Sequence, residues 1–487
     1  MALHLDKPLS WKKALAASHP DAAAELAMLS DLQGNILKGH GRPFTCNVFV
    51  AFDYLKRDLV RAFLADLSRD VTSALDQLTA VQVYHQSGVK ADDFVAFMLS
   101  AAGYKALDEA EHMPQSTEFG AGMKARSAHL GDQPERWEEP FKQTVHAMIL
   151  LAANTEASRD ALKAHYLQRI AATNGAVKLL APTQDGRARF NNDDNGIEHF
   201  GYVDGRSQPL ALVEDIEAER DKFGGINVWD PTIPLSQLLV KCPGGKLEVS
   251  FGSYFVFRKL EQDVRGFKEA EETLPDKTGT PGGLGELGGA LVVGRFENGT
   301  PVRNSAQEIP VPPNLKGSPA GVPNNFDYAK RAGEQDDPQF KCPFAGHIRK
   351  SNPRSDTPDS KDHLMARRGI PFGDRNDDPN DGEIDNKPSP HDGHGSGVGL
   401  LFMAYQSDLA KQFEFTQHDW VNNGNFRQPN TGPDPLIGQP TGKCLFPNDY
   451  GVSLGQAFAF GGFVNMVGGE YLFAPSITYL RSFKHPA

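Results

Sequence analysis

The run Cys46-Asn47-Val48-Phe49-Val50-Ala51-Phe52 is a near-continuous apolar stretch of strand length. It is followed at once by residues 55–79, where Leu59, Val60, Phe63, Leu64 and Leu67 recur at the 3.6-residue spacing of a helix. This strand-then-helix order repeats. Asp93 to Leu99 reads as a second strand, with a short helical stretch from Ala101. Val145 to Ala152 reads as a third, ahead of a long helix over 155–173. In the second half, Tyr254 to Leu260 precedes a helix to about Glu272, and Leu400 to Tyr405 precedes a helical run from Leu409 to Trp420. The Ala-rich residues 1–30 read as a helical arm. Strands alternating with helices, twice over, restrict the chain to an α+β architecture of two related units. The echo is one of element order, not of sequence.

At 487 residues the chain is too long for one ordinary core, which again predicts two domains. The formal net charge of −12 argues against a nucleic-acid binder, whose affinity comes from clustered Lys and Arg. It also fits poorly with anionic membranes. No stretch has the apolar length of a bilayer span. The N-terminus shows neither an apolar signal core nor twin arginines, so the expectation is a cytoplasmic protein. Cys46, Cys242, Cys342 and Cys444 are far apart, which predicts four buried thiols rather than a disulfide framework. No C-x-x-C-H occurs, so a covalent c-type haem is not expected.

Residues 274–346 and 369–398 are rich in Gly, Pro, Asn and Asp and read as long loops. Long loops of this kind are usually functional or disordered. They bracket His347 and Arg367. A haem peroxidase needs an axial ligand, commonly His, that enriches the iron in electrons. It needs a proton shuttle for the peroxide oxygens. It also needs a fixed positive charge as the O–O bond breaks. His347, Asp204 and Arg367 are of these three types, and Asp204 stands in a Gly-x-x-Asp-Gly turn whose glycines permit close approach. A carboxylate in that role favours acidic pH. Each residue also has a plain structural role: a core histidine, a turn-forming aspartate, one of a solvated arginine pair. His391 and His394, in His-Asp-Gly-His-Gly, read as polar loop residues rather than a metal site.

Three segments together are more specific than any one: Gly201-Tyr-Val-Asp-Gly205, His347-Ile-Arg-Lys-Ser-Asn-Pro-Arg354, and Arg367-Arg-Gly-Ile-Pro-Phe-Gly373. In this order they resemble the motifs of the dye-decolorizing peroxidases. Asp31–Leu37, Trp229–Pro231, Gly252–Asp263 and Gly468–Ser476 are similar as well, so the resemblance runs from about residue 31 through nearly the whole chain. It is strongest to the larger, fungal-like branch. The resemblance implies two tandem ferredoxin-like domains of the dimeric α+β barrel type, divided as 1–235 and 236–487. The second would hold one non-covalent b-type haem per chain.

By the same resemblance, His347 is the axial ligand of the haem iron, Asp204 the distal acid–base residue and Arg367 the distal charge. Arg367 is chosen over Arg368 by counting back from Pro371. Leu400 and Phe402, two apart on a strand and so on one face, cover the distal haem face. Arg349 pairs with a propionate. Glu414 or Asp408 accepts the other N–H of His347, a choice the sequence leaves open. Phe372 stands where related sequences often have Tyr, so no tyrosyl-type radical forms there. Arg206 is bulkier than many relatives carry, and either narrows the channel or adds a propionate contact. The implied activity reduces hydrogen peroxide and oxidises small aromatic donors such as dyes or phenolics by one-electron steps. The alternative is a haem-binding or iron-releasing protein with little turnover. Whether the chain forms a homo-oligomer stays open.

Overall fold

The computed structural model describes residues 3–483, apart from 92, 224, 275–284, 329–336, 338 and 376–396. Its strands are β1 (Phe44–Phe52), β2 (Phe94–Leu99), β3 (Ala147–Ala153), β4 (Val177–Leu179), β5 (Gln184–Arg187), β6 (Val240–Lys241), β7 (Phe251–Gln262), β8 (Ala366–Arg367), β9 (Ile370–Phe372), β10 (Gly399–Gln406) and β11 (Val464–Ala474). Three two-stranded ribbons lie apart from them. β2, β3 and β7 are buried along their whole length. An antiparallel sheet with one wet face would alternate apolar and polar residues. Helices and loops cover both faces, so β2 and β3 read in the sequence as continuous apolar runs, whereas β7 also buries Ser253, Arg258, Lys259, Glu261 and Gln262.

The eleven strands form one sheet in the order β8-β10-β7-β11-β2-β3-β1-β4, with β9 on β10, β5 on β1 and β6 on β7. Every pairing in it is antiparallel. Strands from residues 44–187 lie at one end and strands from 240–474 at the other. They meet at the pairing of Phe473 with Leu99. β11, which makes that joint, carries a weak strand signal in the sequence, since Gly468 and Gly469 interrupt its apolar run.

Other expectations are corrected in detail. The helix expected over 55–79 is two helices, Arg57–Leu67 and Ala74–Ser87. The break is set by a capping box: Ser73 Oγ accepts from Asp76 N at 3.0 Å, and Asp76 Oδ2 accepts from Ser73 N at 3.3 Å. Inside the Gly-rich region read as loop, Gly285–Val293 is helical, and Leu287, Ala290 and Leu291 are buried in the second core. The run after β10 is π-helical, in the pieces Ala410–Glu414 and Thr416–Val421. All four cysteines are buried and free. Among the described residues no helix is long and apolar enough to cross a membrane, and no group of three metal-ligating side chains converges. His391 and His394 lie outside the described residues.

Candidate active site

Gly346 precedes the short helix His347–Ser351, so the His347 imidazole stands at a helix start rather than mid-face. His347 Nδ1 lies 2.8 Å from Asp434 Oδ2. The carboxylate is itself fixed, because Asp434 Oδ1 accepts from the backbone N–H groups of Leu436 at 2.8 Å and Ile437 at 3.0 Å. An ionised carboxylate only accepts, so Nδ1 carries the proton and Nε2 is left with the lone pair. Burial alone would lower the imidazole's pKa, but the charge and hydrogen bond of Asp434 more than offset it, and the net direction is upward. Lys350, three residues on, donates to the carbonyls of Asn423 at 2.7 Å and Gly432 at 2.8 Å and so pins the loop that carries Asp434. Burial pushes its ammonium down to about 8.

His347 lines a cavity of about 270 Å³ shared with Asp204, Arg206, Arg367, Leu400 and Phe402. Asp204 hangs from a turn in which Gly201 has φ 99° and Gly205 φ 79°, conformations that favour glycine. Glu198 holds this turn from behind, accepting from the N–H groups of Phe200 at 2.8 Å and Tyr202 at 3.0 Å and from the Gln262 amide. Arg367 Nη2 donates to the carbonyl of Arg206 at 2.8 Å, and its backbone N–H donates to Gln208 Oε1 at 3.0 Å. Arg368, on the other side of the chain, gives its guanidinium to the carbonyls of Asn35, Ile36 and Arg367. Strand alternation thus separates the two arginines, and the cavity receives Arg367.

Two expected residues are elsewhere. Arg349 does not line the cavity. Two residues along a helix is about 200° around its axis, so Arg349 points away from the face of His347. Its guanidinium is buried, forks onto Asp356 at 2.7 and 3.0 Å, and donates to the carbonyls of Cys342 at 2.5 Å and Asp337 at 2.9 Å. Its propionate role is therefore corrected to a structural one. Arg349→Ala leaves Asp356 and Asp337 without their buried partner, and is expected to cost about 3–5 kcal/mol in denaturant unfolding.

Glu414 does not meet His347 either. It accepts from Arg126 Nε at 3.0 Å, Arg126 Nη2 at 2.6 Å and the Tyr471 phenol at 2.9 Å. Asp408 Oδ1 accepts from the N–H of Lys411. The partner of His347 is Asp434, in Gly-Pro-Asp-Pro. An aspartate between two prolines is a rigidly placed carboxylate, and that was the signal available in the sequence.

Arg206 lines the cavity, but its guanidinium is taken by Glu219 at 2.8 and 2.9 Å and by the Val322 carbonyl at 2.8 Å. Three further arginines line it: Arg258, whose guanidinium forks onto Asp132 at 2.6 and 2.8 Å, and the pair Arg295 and Arg354, which meet no carboxylate at that range among the described residues. Both reach Ser207 Oγ and Asn324 Oδ1, neutral acceptors. Burial, with the like charges of Arg354 and Arg206, pushes Arg295 down to about 9, and burial brings Arg354 to about 10. Such a pair is short of negative charge. Phe372 is buried with the Lys259 ammonium 4.7 Å from its ring centre.

Residues 31–188 match the sequence profile of the DyP dimeric alpha+beta barrel domain. The chain is 40% identical to the multifunctional dye peroxidase DyP2 of Amycolatopsis sp., over 99% of this chain and all of that one. It is 30% identical to Peroxidase 2 of Mycetinis scorodonius, over 95% of this chain and 88% of the relative. Among solved structures, that of a DyP-type peroxidase from Anabaena sp. superposes with a TM-score of 0.87 at 34% identity, covering 99% of this chain and 100% of the other. The chain belongs to the DyP-type peroxidase family, and it is a peroxidase with the α+β fold of that family.

Proposed function

We propose that the cavity holds one non-covalent b-type haem, bound through Nε2 of His347, and that the protein reduces hydrogen peroxide at the expense of small aromatic donors. The observation that carries this is the His347–Asp434 hydrogen bond at 2.8 Å. It leaves an electron-rich imidazole nitrogen in a cavity that also receives Asp204 and Arg367. The cavity's other residues suit the group. Leu260, Val293, Ile348, Leu400, Phe402 and Phe413 offer apolar walls for a porphyrin. Arg295 and Arg354, cationic and short of negative charge, suit its two carboxylates. When bound, the haem supplies the iron centre that takes electrons from the donor to the peroxide.

The chain's own residues do the rest. Asp204 takes the proton from one peroxide oxygen and returns it to the other, so that water can leave. Arg367 is held by its contacts to Arg206 and Gln208, and its charge faces the negative charge that develops as the O–O bond breaks. Leu400 and Phe402 keep bulk water from that side. We place the division of the chain at about residue 235, ahead of β6 and β7, the strands that open the second half of the sheet.

The test is direct. Protein loaded with haem should show a Soret band and a rapid spectral change with hydrogen peroxide, followed by donor-dependent return. Haem uptake with no response to peroxide would instead fit a carrier. Asp434→Ala is expected to lower haem affinity or turnover by about 10- to 100-fold, the usual effect of losing the partner that orients a metal-binding histidine. Haem titration and steady-state turnover check it.

A further inference from the structure

The hydrogen bond between His347 and Asp434 joins segments 87 positions apart. Its geometry depends on how the helix His347–Ser351 sits against the loop 422–436. The loop's own bonds do not set that. The N–H of Gly432 donates to the Gly424 carbonyl at 2.9 Å, and that of Asp434 to the Val421 carbonyl at 2.8 Å, so they close the loop on itself. The N–H of Leu445 and the thiol of Cys444 tie it, through the carbonyls of Thr431 and Pro433, to the ribbon strand Gly442–Cys444 and not to the helix. Among the described residues, the hydrogen bonds that cross from the helix to the loop, besides that of His347 itself, both come from Lys350. Its Nζ donates to the Asn423 carbonyl at 2.7 Å and to the Gly432 carbonyl at 2.8 Å, near the two ends of the loop. Three residues along a helix is about 300° around its axis, so Lys350 and His347 share one side of it.

Lys350 is fully buried, and among the described residues it meets no carboxylate at ion-pair range. An ammonium held by two neutral carbonyls is costly to desolvate. Burial accordingly lowers its pKa to about 8, opposed in part by the charge of Asp434. An apolar residue would fill that space with less desolvation if packing were its whole task.

We infer that Lys350 is a positioning residue for the iron ligand. By bracing the loop of Asp434 against the helix of His347, it sets the strength of the Nδ1–H···Oδ2 hydrogen bond, and through it how electron-rich Nε2 is toward the iron. The inference rests on a haem bound through His347. Lys350 does not line the cavity, so it acts through Asp434. A strong hydrogen bond from Nδ1 gives the imidazole anionic character, which strengthens its bond to iron and favours the ferric over the ferrous state. Loss of the brace lets the carboxylate move off the imidazole, and both effects weaken.

The experiment is resonance Raman spectroscopy of the haem-loaded, reduced protein, with the iron–imidazole stretch identified by iron isotope substitution. A redox titration of the same samples goes with it. In Lys350→Met the stretch should move to lower frequency and the potential should rise, both in the direction of Asp434→Asn and by a smaller amount. Lys350→Gln, one atom shorter and uncharged, should move them the same way. Arg349→Lys is the comparison. It weakens another buried cation of the same helix, whose bonds lead to Asp356 and Asp337 rather than to the loop. It should lower resistance to denaturant and leave the stretch and the potential where they were. If Lys350 only packs, its variants will behave in that way too, and the inference is overturned. A shift in the opposite sense, or an equal shift in Arg349→Lys, overturns it as well. Should Lys350→Met not fold, parent values in Lys350→Gln are enough to overturn it. A parent protein that takes up haem and shows the stretch keeps the cofactor reading whatever Lys350 does, whereas one that takes up no haem overturns both.

Discussion

His347→Ala is expected to abolish stable haem uptake. The Soret band should be missing from protein purified after expression with excess haem, and peroxide turnover should fall to background. The reason is local. His347 is the residue in the cavity whose lone-pair nitrogen is left open by a fixed carboxylate partner, Asp434. Apolar walls and Arg295 with Arg354 can hold a porphyrin loosely, but an iron without its axial nitrogen loses the strongest single bond to the protein. The fold should survive, because the side chain fills part of the cavity wall rather than the core between the strands. A variant that keeps a normal Soret band and normal turnover would remove His347 from the ligand position. Circular dichroism would separate loss of haem from loss of structure.

The second large effect is at Asp204. Asp204→Asn keeps the shape of the turn but cannot accept a proton, so the peroxide step is expected to slow by about 10²- to 10⁴-fold. Haem binding should stay intact, since Asp204 is not its ligand. Arg367→Leu should slow the same step by about 10²- to 10³-fold through loss of fixed charge. Stopped-flow absorbance after peroxide mixing measures both. Rates equal to the parent in the two variants would show that neither residue acts on the peroxide. The two losses are not expected to add, because both residues act on one transition state and lie in one cavity.

Phe372 bears on the donor side. It is buried under Lys259 and offers no phenol. The sequence leaves the partner of His347 open between Asp408 and Glu414, and Glu414 meets other groups. Its carboxylate is bound to Arg126 and Tyr471. A single carboxylate in a helical run can face either way, and period alone does not say which neighbour it meets.

What was legible in the chain was local. Strand runs such as β2 and β3 declare themselves because both faces are buried and no polar residue need alternate. His347, Asp204 and Arg367 stand out because glycines and prolines set their backbones, and such residues mark turns whatever surrounds them. What the tertiary structure decided was every pairing between distant segments. Asp434 reaches His347 across 87 positions. Arg349 turns away from the cavity to Asp356 and Asp337, and Arg295 and Arg354 come to share Ser207 and Asn324. β11 joins the two halves of the sheet at Phe473 and Leu99. The physical reason is the range of the signal. Periodicity and turn chemistry act over a few residues. Which charge neutralises which, and which arginine is left to face a cavity, depends on segments brought together only when the sheet closes its register.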